Sequence, residues 1–337
     1  VEPSSRMSFA RLAPRLKRSR RLVTLRLMGG QFSYAAAVVA LVLLVSTLIT
    51  SPSRVDLPVT STPLAVGYVL RGNLHRTGVY GTDAVPQLGE VVWLSPMSTW
   101  GQVAPVVAGD TIYTYNDERH YFYALDSHTG KERWKISAAE ASPPAIVDQG
   151  VYVGIGQTFY MLDNQTGEAY WKVVLDAPVK SSPIFYDETV YVPTTMGVFY
   201  ALDGGTGEEK WSFEAQGGIY SSPALADGLV YFGSRDGYLY ALDDQTGDLA
   251  WTFEVGDWID ASPAVANGMV YVGSADRCFY AVDARTGQEV WQFQTKGCIY
   301  SSAAVDGEAV YFGSEDGCLY ALDSDTGALK WTFETGQ

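Results

Sequence analysis

Little in this sequence is equipped for chemistry. The 337 residues hold three cysteines and three histidines. Cys278, Cys298 and Cys318 form no C-x-x-C pair, and His75, His120 and His128 lie far from them in sequence, so no zinc motif can be drawn. There is no G-x-S-x-G elbow, no H-E-x-x-H and no P-loop. Gly204-Gly205 and Gly217-Gly218 read as turns, because no helix follows them to cradle a phosphate. Helical periodicity is nearly absent after residue 51. Cys278 and Cys318 hold the same place in neighbouring repeats. Packed sheets stand ~10 Å apart, too far for a disulfide, so both are expected to be small buried hydrophobes.

Basic charge is scarce in most of the chain. The net charge is −15. Residues 1–31 hold eight basic residues (Arg6, Arg11, Arg15, Lys17, Arg18, Arg20, Arg21, Arg26) against Glu2, a net of +7, which leaves −22 on residues 32–337. A body so acidic argues against nucleic acid as a partner.

One long apolar run is present. Phe32 to Thr50 is nineteen uncharged residues. As a helix they span ~28 Å, enough for a bilayer core. The basic cluster precedes the run, so the positive-inside rule puts the N-terminus in the cytoplasm and the rest outside. The exit, Leu48-Ile49-Thr50-Ser51-Pro52, lacks a small-x-small cleavage site, and no cysteine follows closely for lipid attachment. The expected organisation is a basic cytoplasmic tail (1–31), a single-pass signal-anchor helix (32–50), a Pro-containing extended linker (51–88) and a repeat domain (89–337) at the outer surface of the cell membrane. The Val1 start points to a fragment, or to Met7 as the true start.

What the chain has in abundance is repetition. Trp93, Trp134, Trp171, Trp211, Trp251, Trp291 and Trp331 are spaced 41, 37, 40, 40, 40 and 40 apart. The last six each end a phrase such as YALDGGTGEEKW or YALDDQTGDLAW. A period near 40 with several β-rich runs per unit predicts an all-β fold, a β-propeller of four-stranded blades. In residues 221–254, Ser222 to Ala226, Leu229 to Ser234, Tyr238 to Leu242 and Ala250 to Glu254 read as the four strands. Asp227-Gly228 is a two-residue hairpin turn, with Asn267-Gly268 and Asp306-Gly307 expected at the same place in the next repeats. Asp243, Thr246 and Gly247 shape the third turn. Trp134, Trp171, Trp211, Trp251, Trp291 and Trp331 are expected to pack between blades, since a residue present in every blade serves every blade.

There are seven outermost strands, counting Glu90 to Pro96, but six inner sets of three, beginning near Pro105, Pro143, Pro183, Pro223, Pro263 and Ala303. Two arrangements fit: an incomplete seven- or eight-bladed ring, which we favour, or six blades with residues 90–96 as an extra edge strand.

The phrase YALDxxTGxxxW, with SSPA and VYFGS before it, resembles the repeat of pyrroloquinoline-quinone-type propellers. It is also similar to the propeller subunit of the outer-membrane β-barrel assembly machinery, and LRGNLHRTGVYG (70–81) resembles the lead-in to its first blade. The quinone-dependent enzymes of that group imply a ring-stacking Trp, adjacent cysteines and a calcium site. This chain has no adjacent cysteines, so neither an oxidoreductase nor any cofactor or metal is expected.

Function must then lie where blades differ. The connection from the fourth strand of one blade to the first of the next carries Gln102, Glu140, Lys180, Tyr220, Asp260 and Tyr300 at one position, with Asp257 and Trp258 beside it. The second-to-third strand loops add Arg119, Arg235 and Arg277. Aromatics with Arg and carboxylates are typical of binding hot spots; the plainer alternative is variable solvated loops. The leading expectation is a membrane-anchored scaffold that binds protein or peptide partners, in envelope protein assembly. A small-molecule sensor, with Tyr220, Asp260 and Tyr300 lining a funnel, is the alternative. Oligomeric state is not legible.

Overall fold

The computed structural model describes residues 104–335 apart from Gln149. The expected tail, anchor helix, linker, Glu90–Pro96 strand and Gln102 lie outside the described residues. Among the described residues no helix is long and apolar enough to cross a membrane.

Six four-stranded antiparallel sheets follow one another along the chain, each with its strands in sequence order. We number them blades 1 to 6, spanning 106–137, 145–174, 184–214, 224–254, 264–294 and 304–334. Blade 4 is representative, with strands Ala224–Ala226, Leu229–Gly233, Tyr238–Asp243 and Leu249–Glu254. The first strand begins at Ala224 rather than Ser222 because the Ser222 N–H leaves the sheet and donates to Ser262 Oγ of the next blade at 2.9 Å. The same bond runs from Ser182 to Ser222 (3.0 Å) and from Ser262 to Ser302 (3.0 Å). A ladder of serines thus joins the first strands of blades 3 to 6. The serine before it works inside its own blade: Ser221 Oγ donates to Gly233 O (2.7 Å) and accepts from Gly233 N (2.8 Å).

The turns follow their residues. In the third turn, Asp243 Oδ1 accepts the N–H groups of Gln245 (3.0 Å) and Thr246 (2.9 Å), and Gly247 takes φ +76°. Asp227 and Gly228 form the first hairpin turn with φ of +51° and +79°, the left-handed pair that a two-residue loop between twisted strands requires. In blade 6 the pairing of Asp306 with Ala309 makes the two turn residues Gly307 and Glu308. Asp306-Gly307 is therefore displaced by one position from the expected register, because the residue needing positive φ (+56°) is Gly307 itself. Every third-to-fourth strand pair carries a bulge just before the tryptophan.

That bulge helps to turn the indole toward the next blade. Trp251 Nε1 donates to Ala284 O at 3.0 Å, and its ring lies over Gly287. Trp134, Trp171, Trp211 and Trp291 repeat the bond and the contact in their own blades. The acceptor carbonyl is shared: Tyr231 Oη also reaches Ala284 O, at 3.1 Å. Burial pushes Tyr231 and Tyr271 up to about 12, so these donors keep their protons. Elsewhere between blades, Phe279 stacks on Phe312 with centroids 4.0 Å apart, and Phe199 on Phe232 at 4.5 Å. Trp331 and Tyr311 of blade 6 find no equivalent acceptor among the described residues.

The cysteines are unpaired, but Cys278 and Cys318 are half-buried rather than buried. Both open a third strand, where the side chain reaches the edge of the inter-blade cluster but is not enclosed by it.

Candidate functional site

One face of the molecule is assembled from two kinds of segment: the connection that leads into each blade and the turn between its second and third strands. Backbone bonds hold them together. Arg235 N donates to Gly218 O (3.0 Å), Ala275 N to Trp258 O (2.9 Å) and Glu315 N to Cys298 O (2.9 Å). In blades 4 to 6 an aspartate in the turn adds a second tie. Asp236 Oδ2 accepts from Gln216 N (2.9 Å) and from the Tyr240 hydroxyl (2.8 Å), and Oδ1 from Tyr238 N (3.0 Å). Asp276 and Asp316 repeat the arrangement with Gly256, Tyr280 and Cys278, and with Lys296, Tyr320 and Cys318. Charge-assisted bonds of this kind are among the stronger polar contacts in a fold, so the floor of the face is rigid.

On that floor four of the sequence-nominated residues meet. The Arg235 guanidinium forms a fork with Asp260, Nε to Oδ1 and Nη2 to Oδ2, both at 2.8 Å. Its Cζ lies 3.6 Å from the centroid of the Tyr220 ring and 5.0 Å from that of Trp258. A bidentate ion pair with aromatic rings about the cation fixes geometry as well as charge. The hydrogen bond to Asp260 raises the Arg235 pKa further, so the charge is permanent. Trp258 is nonetheless 48% exposed and Tyr300, in the next connection, 42%. A hydrogen bond with the Cys298 side chain, then burial, push the Tyr300 phenol up to about 12.

The other nominated residues separate from this cluster. Lys180 forms an ion pair with Glu140, a bond between neighbouring connections. Asp257 turns its carboxylate back onto the Trp258 N–H at 2.8 Å. Arg119, Arg235 and Arg277 stand at different places in their turns. Arg235 follows the turn-opening Ser234, Arg277 precedes its third strand, and Arg119 lies in the longer turn of blade 1, its N–H on Asn116 Oδ1 at 2.9 Å. One surface residue escaped the sequence reading. Met196, 72% exposed, stands in blade 3 where blades 4 to 6 have Asp236, Asp276 and Asp316. The signal was present: TTMG replaces the S-x-D pattern of the turn.

The arrangement is suited to recognition. It offers rings with free edges, held in place by buried or paired polar groups, and cations at fixed positions. Among the described residues no group of three or more His, Cys, Asp or Glu is placed to hold a metal ion.

A family profile described as outer membrane protein assembly factor BamB matches residues 78–154, 123–223 and 215–336. Among solved structures, BamB from Moraxella catarrhalis is 21% identical with a TM-score of 0.58, over 68% of this chain and 75% of that one. The computationally designed Ika8 protein is likewise 21% identical with a TM-score of 0.62, over 69% of this chain and 74% of its own. These likenesses concern the fold. No curated protein matches the chain. The chain belongs to the BamB-like family of PQQ-type repeat propellers.

Proposed function

We propose that the protein is a membrane-anchored, extracytoplasmic scaffold that binds protein partners through the face bearing Tyr220, Arg235, Trp258, Asp260 and Tyr300, in the assembly of outer membrane proteins. The observation that carries this reading is the Arg235–Asp260 fork flanked by Tyr220 and Trp258. It holds an exposed tryptophan rigidly where every repeat-wide residue is already used for packing. Rigid aromatic anchors beside Arg are the residues that dominate protein interfaces. Family membership supports the assembly role. The uncharged run from Phe32 to Thr50, with basic residues before it, supports the anchor.

Two experiments test the reading. Crosslinking of the full chain in its own membrane should yield a discrete partner that disappears with Trp258→Ala plus Tyr300→Ala, at unchanged Tm. If that partner survives the double substitution, and is lost on changing an outer-edge residue such as Lys210, the face is wrongly assigned. For the anchor, carbonate washing should leave the protein in the membrane, and protease added to spheroplasts should cut beyond residue 60. A soluble product beginning near residue 51 would show cleavage instead.

A further inference from the structure

Resting on the reading that this face binds a partner, we propose that Arg277 reads a carboxylate of the bound segment, so that the preferred ligand is an extended peptide alternating apolar and acidic side chains. Arg277 stands where the fold calls for glycine. At the corresponding position of the same turn, blades 3, 4 and 6 place Gly197, Gly237 and Gly317, with φ of +98°, +86° and +82°. Arg277 has φ +76°. The conformation goes with this form of the turn, in which the carbonyl of this residue accepts an N–H from the end of the fourth strand. Ala215 N reaches Gly197 O at 2.9 Å, Val255 N reaches Gly237 O at 2.8 Å, and Thr295 N reaches Arg277 O at 2.9 Å. An L side chain in this region crowds its own backbone, which glycine avoids. A strained residue that the surrounding structure holds in place is a pointer to use.

The side chain has no internal partner to account for it. Arg277 is exposed and makes no ion pair among the described residues. Its neighbour Asp276 spends both oxygens on Gly256 N, Tyr280 Oη and Cys278 N. Arg235 on the same face is neutralised by Asp260, and Lys180 by Glu140. The turn carrying Arg277 is clamped between the segments that carry the two exposed rings. Ser274 Oγ donates to Trp258 O at 3.2 Å, and Ile299 N donates to Ser274 O at 3.0 Å, one residue before Tyr300. The turn that holds this uncommitted cation therefore lies between the segments that carry Trp258 and Tyr300. Asp257 and Glu315 are the exposed carboxylates of the two neighbouring segments, and neither pairs with Arg277. With −22 carried by residues 32–337, an acidic segment meets repulsion over most of the surface. An unpaired arginine in the turn between the two ring-bearing segments gives it a favourable place, where apolar side chains meet the rings and a carboxylate meets the guanidinium.

The test uses the full chain and two synthetic peptides, one alternating Phe with Asp and its matched copy alternating Phe with Asn, with affinity read by Trp fluorescence. Wild type should bind the Asp peptide about tenfold more tightly, the worth of one charge-assisted hydrogen bond. Arg277→Gln and Arg277→Gly should both erase the preference. Arg277→Gly should in addition raise Tm by about 2 °C, since relief of strain outweighs the added freedom of the unfolded chain, while Arg277→Gln leaves Tm as it was. The proposal is overturned if wild type shows no preference, if the preference survives Arg277→Gln, or if Arg277→Gly melts no higher than Arg277→Gln. A chain that binds both peptides equally, and loses both with Trp258→Ala plus Tyr300→Ala, would sink this proposal but keep the face. A preference that depends on Arg277 yet ignores Trp258 and Tyr300 would instead overturn the face.

Discussion

Gly287 and Trp251 offer a direct measure of what holds neighbouring blades together. A Cβ added at Gly287 would lie 2.7 Å from Trp251 Cδ2 and 2.8 Å from Cε3, and Gly287 sits at φ +72°. Gly287→Ala therefore costs in two ways: about 1–2 kcal/mol for a side chain in left-handed backbone, and about 1–3 kcal/mol for forcing the indole aside. Reduced freedom of the unfolded chain returns about 0.4–1 kcal/mol, so the substitution should cost about 3 kcal/mol. Gly228→Ala is the internal control. It has φ +79° with nothing within 4 Å of the added Cβ, so strain alone remains, about 1 kcal/mol. Trp251→Ala should cost about 3 kcal/mol, the lower end for a large aromatic, because the ring is half-buried. Its lost bond leaves Ala284 O still satisfied by Tyr231.

The double variant decides whether the two groups act on each other. With the indole gone, the Cβ introduced by Gly287→Ala has room, and only the strain is added to the loss of Trp251. Urea unfolding of the chain at constant m should then give about 4 kcal/mol for the pair, where simple addition gives about 6, a coupling of about 2 kcal/mol. Additive losses, or a Gly287→Ala cost equal to that of Gly228→Ala, would refute the idea that each indole is seated on the glycine of the next blade.

Acid should weaken every blade together. Hydrogen bonds hold the turn aspartates Asp126, Asp163, Asp243, Asp283 and Asp323 below their ordinary pKa, led respectively by those from Arg133, Tyr170, Thr246, Thr286 and Thr326. Groups depressed in the folded state add stability above the unfolded pKa of about 3.9 and lose it as pH falls through the folded value. Tm should hold steady down to about pH 5 and fall steeply below about pH 4, with a shallower fall in Asp243→Asn plus Asp283→Asn; an identical acid slope in that variant contradicts the assignment. Ser222→Ala removes the acceptor for the buried Ser182 N–H and should lower stability by about 1–2 kcal/mol in urea. Ser221→Ala should cost less, since blade 5 already carries Ala261 at that place; the reverse order would break the division of labour between the two serines.

The blades were legible because each local choice in the repeat agrees with the others. Asp243, Thr246 and Gly247 specify their turn by side-chain acceptors and a free φ, and Trp251 marks the strand that follows. The hairpin of blade 6 misled for a physical reason. Asp-Gly is a strong turn signal, yet in that register Asp306 pairs with Ala309 and the turn begins at Gly307. The site was legible in position but not in pairing. Counting repeats brought Tyr220, Trp258 and Asp260 together, but nothing in the spacing says that Arg235 rather than Arg277 takes the carboxylate. That choice depends on where each arginine stands in its turn. Met196 went unseen because a single apolar residue in a loop carries no pattern of its own.

Departures from the repeat are not spread evenly, and this is the strongest internal argument for where function lies. The D-x-x-T-G turn at the outer rim is kept in all six blades, from Asp126–Gly130 to Asp323–Gly327. Each glycine of blades 2 to 6 lies under an indole of the blade before, so any departure there would cost an inter-blade contact. The turn between the second and third strands is closed by the same backbone bonds, yet it breaks its own rule repeatedly. Met196 replaces the tying aspartate in blade 3, Arg277 replaces the glycine in blade 5, and His120 takes a left-handed φ of +54° in blade 1. Each departure removes a stabilising device, and among the described residues none gains a polar contact of its side chain that would offset it. Met196 is left in water and Arg277 is left unpaired. A chain that holds its rim constant while leaving strained or apolar side chains on one face has separated two tasks. The rim keeps the blades together, and the opposite turns are left free to vary toward whatever that face binds.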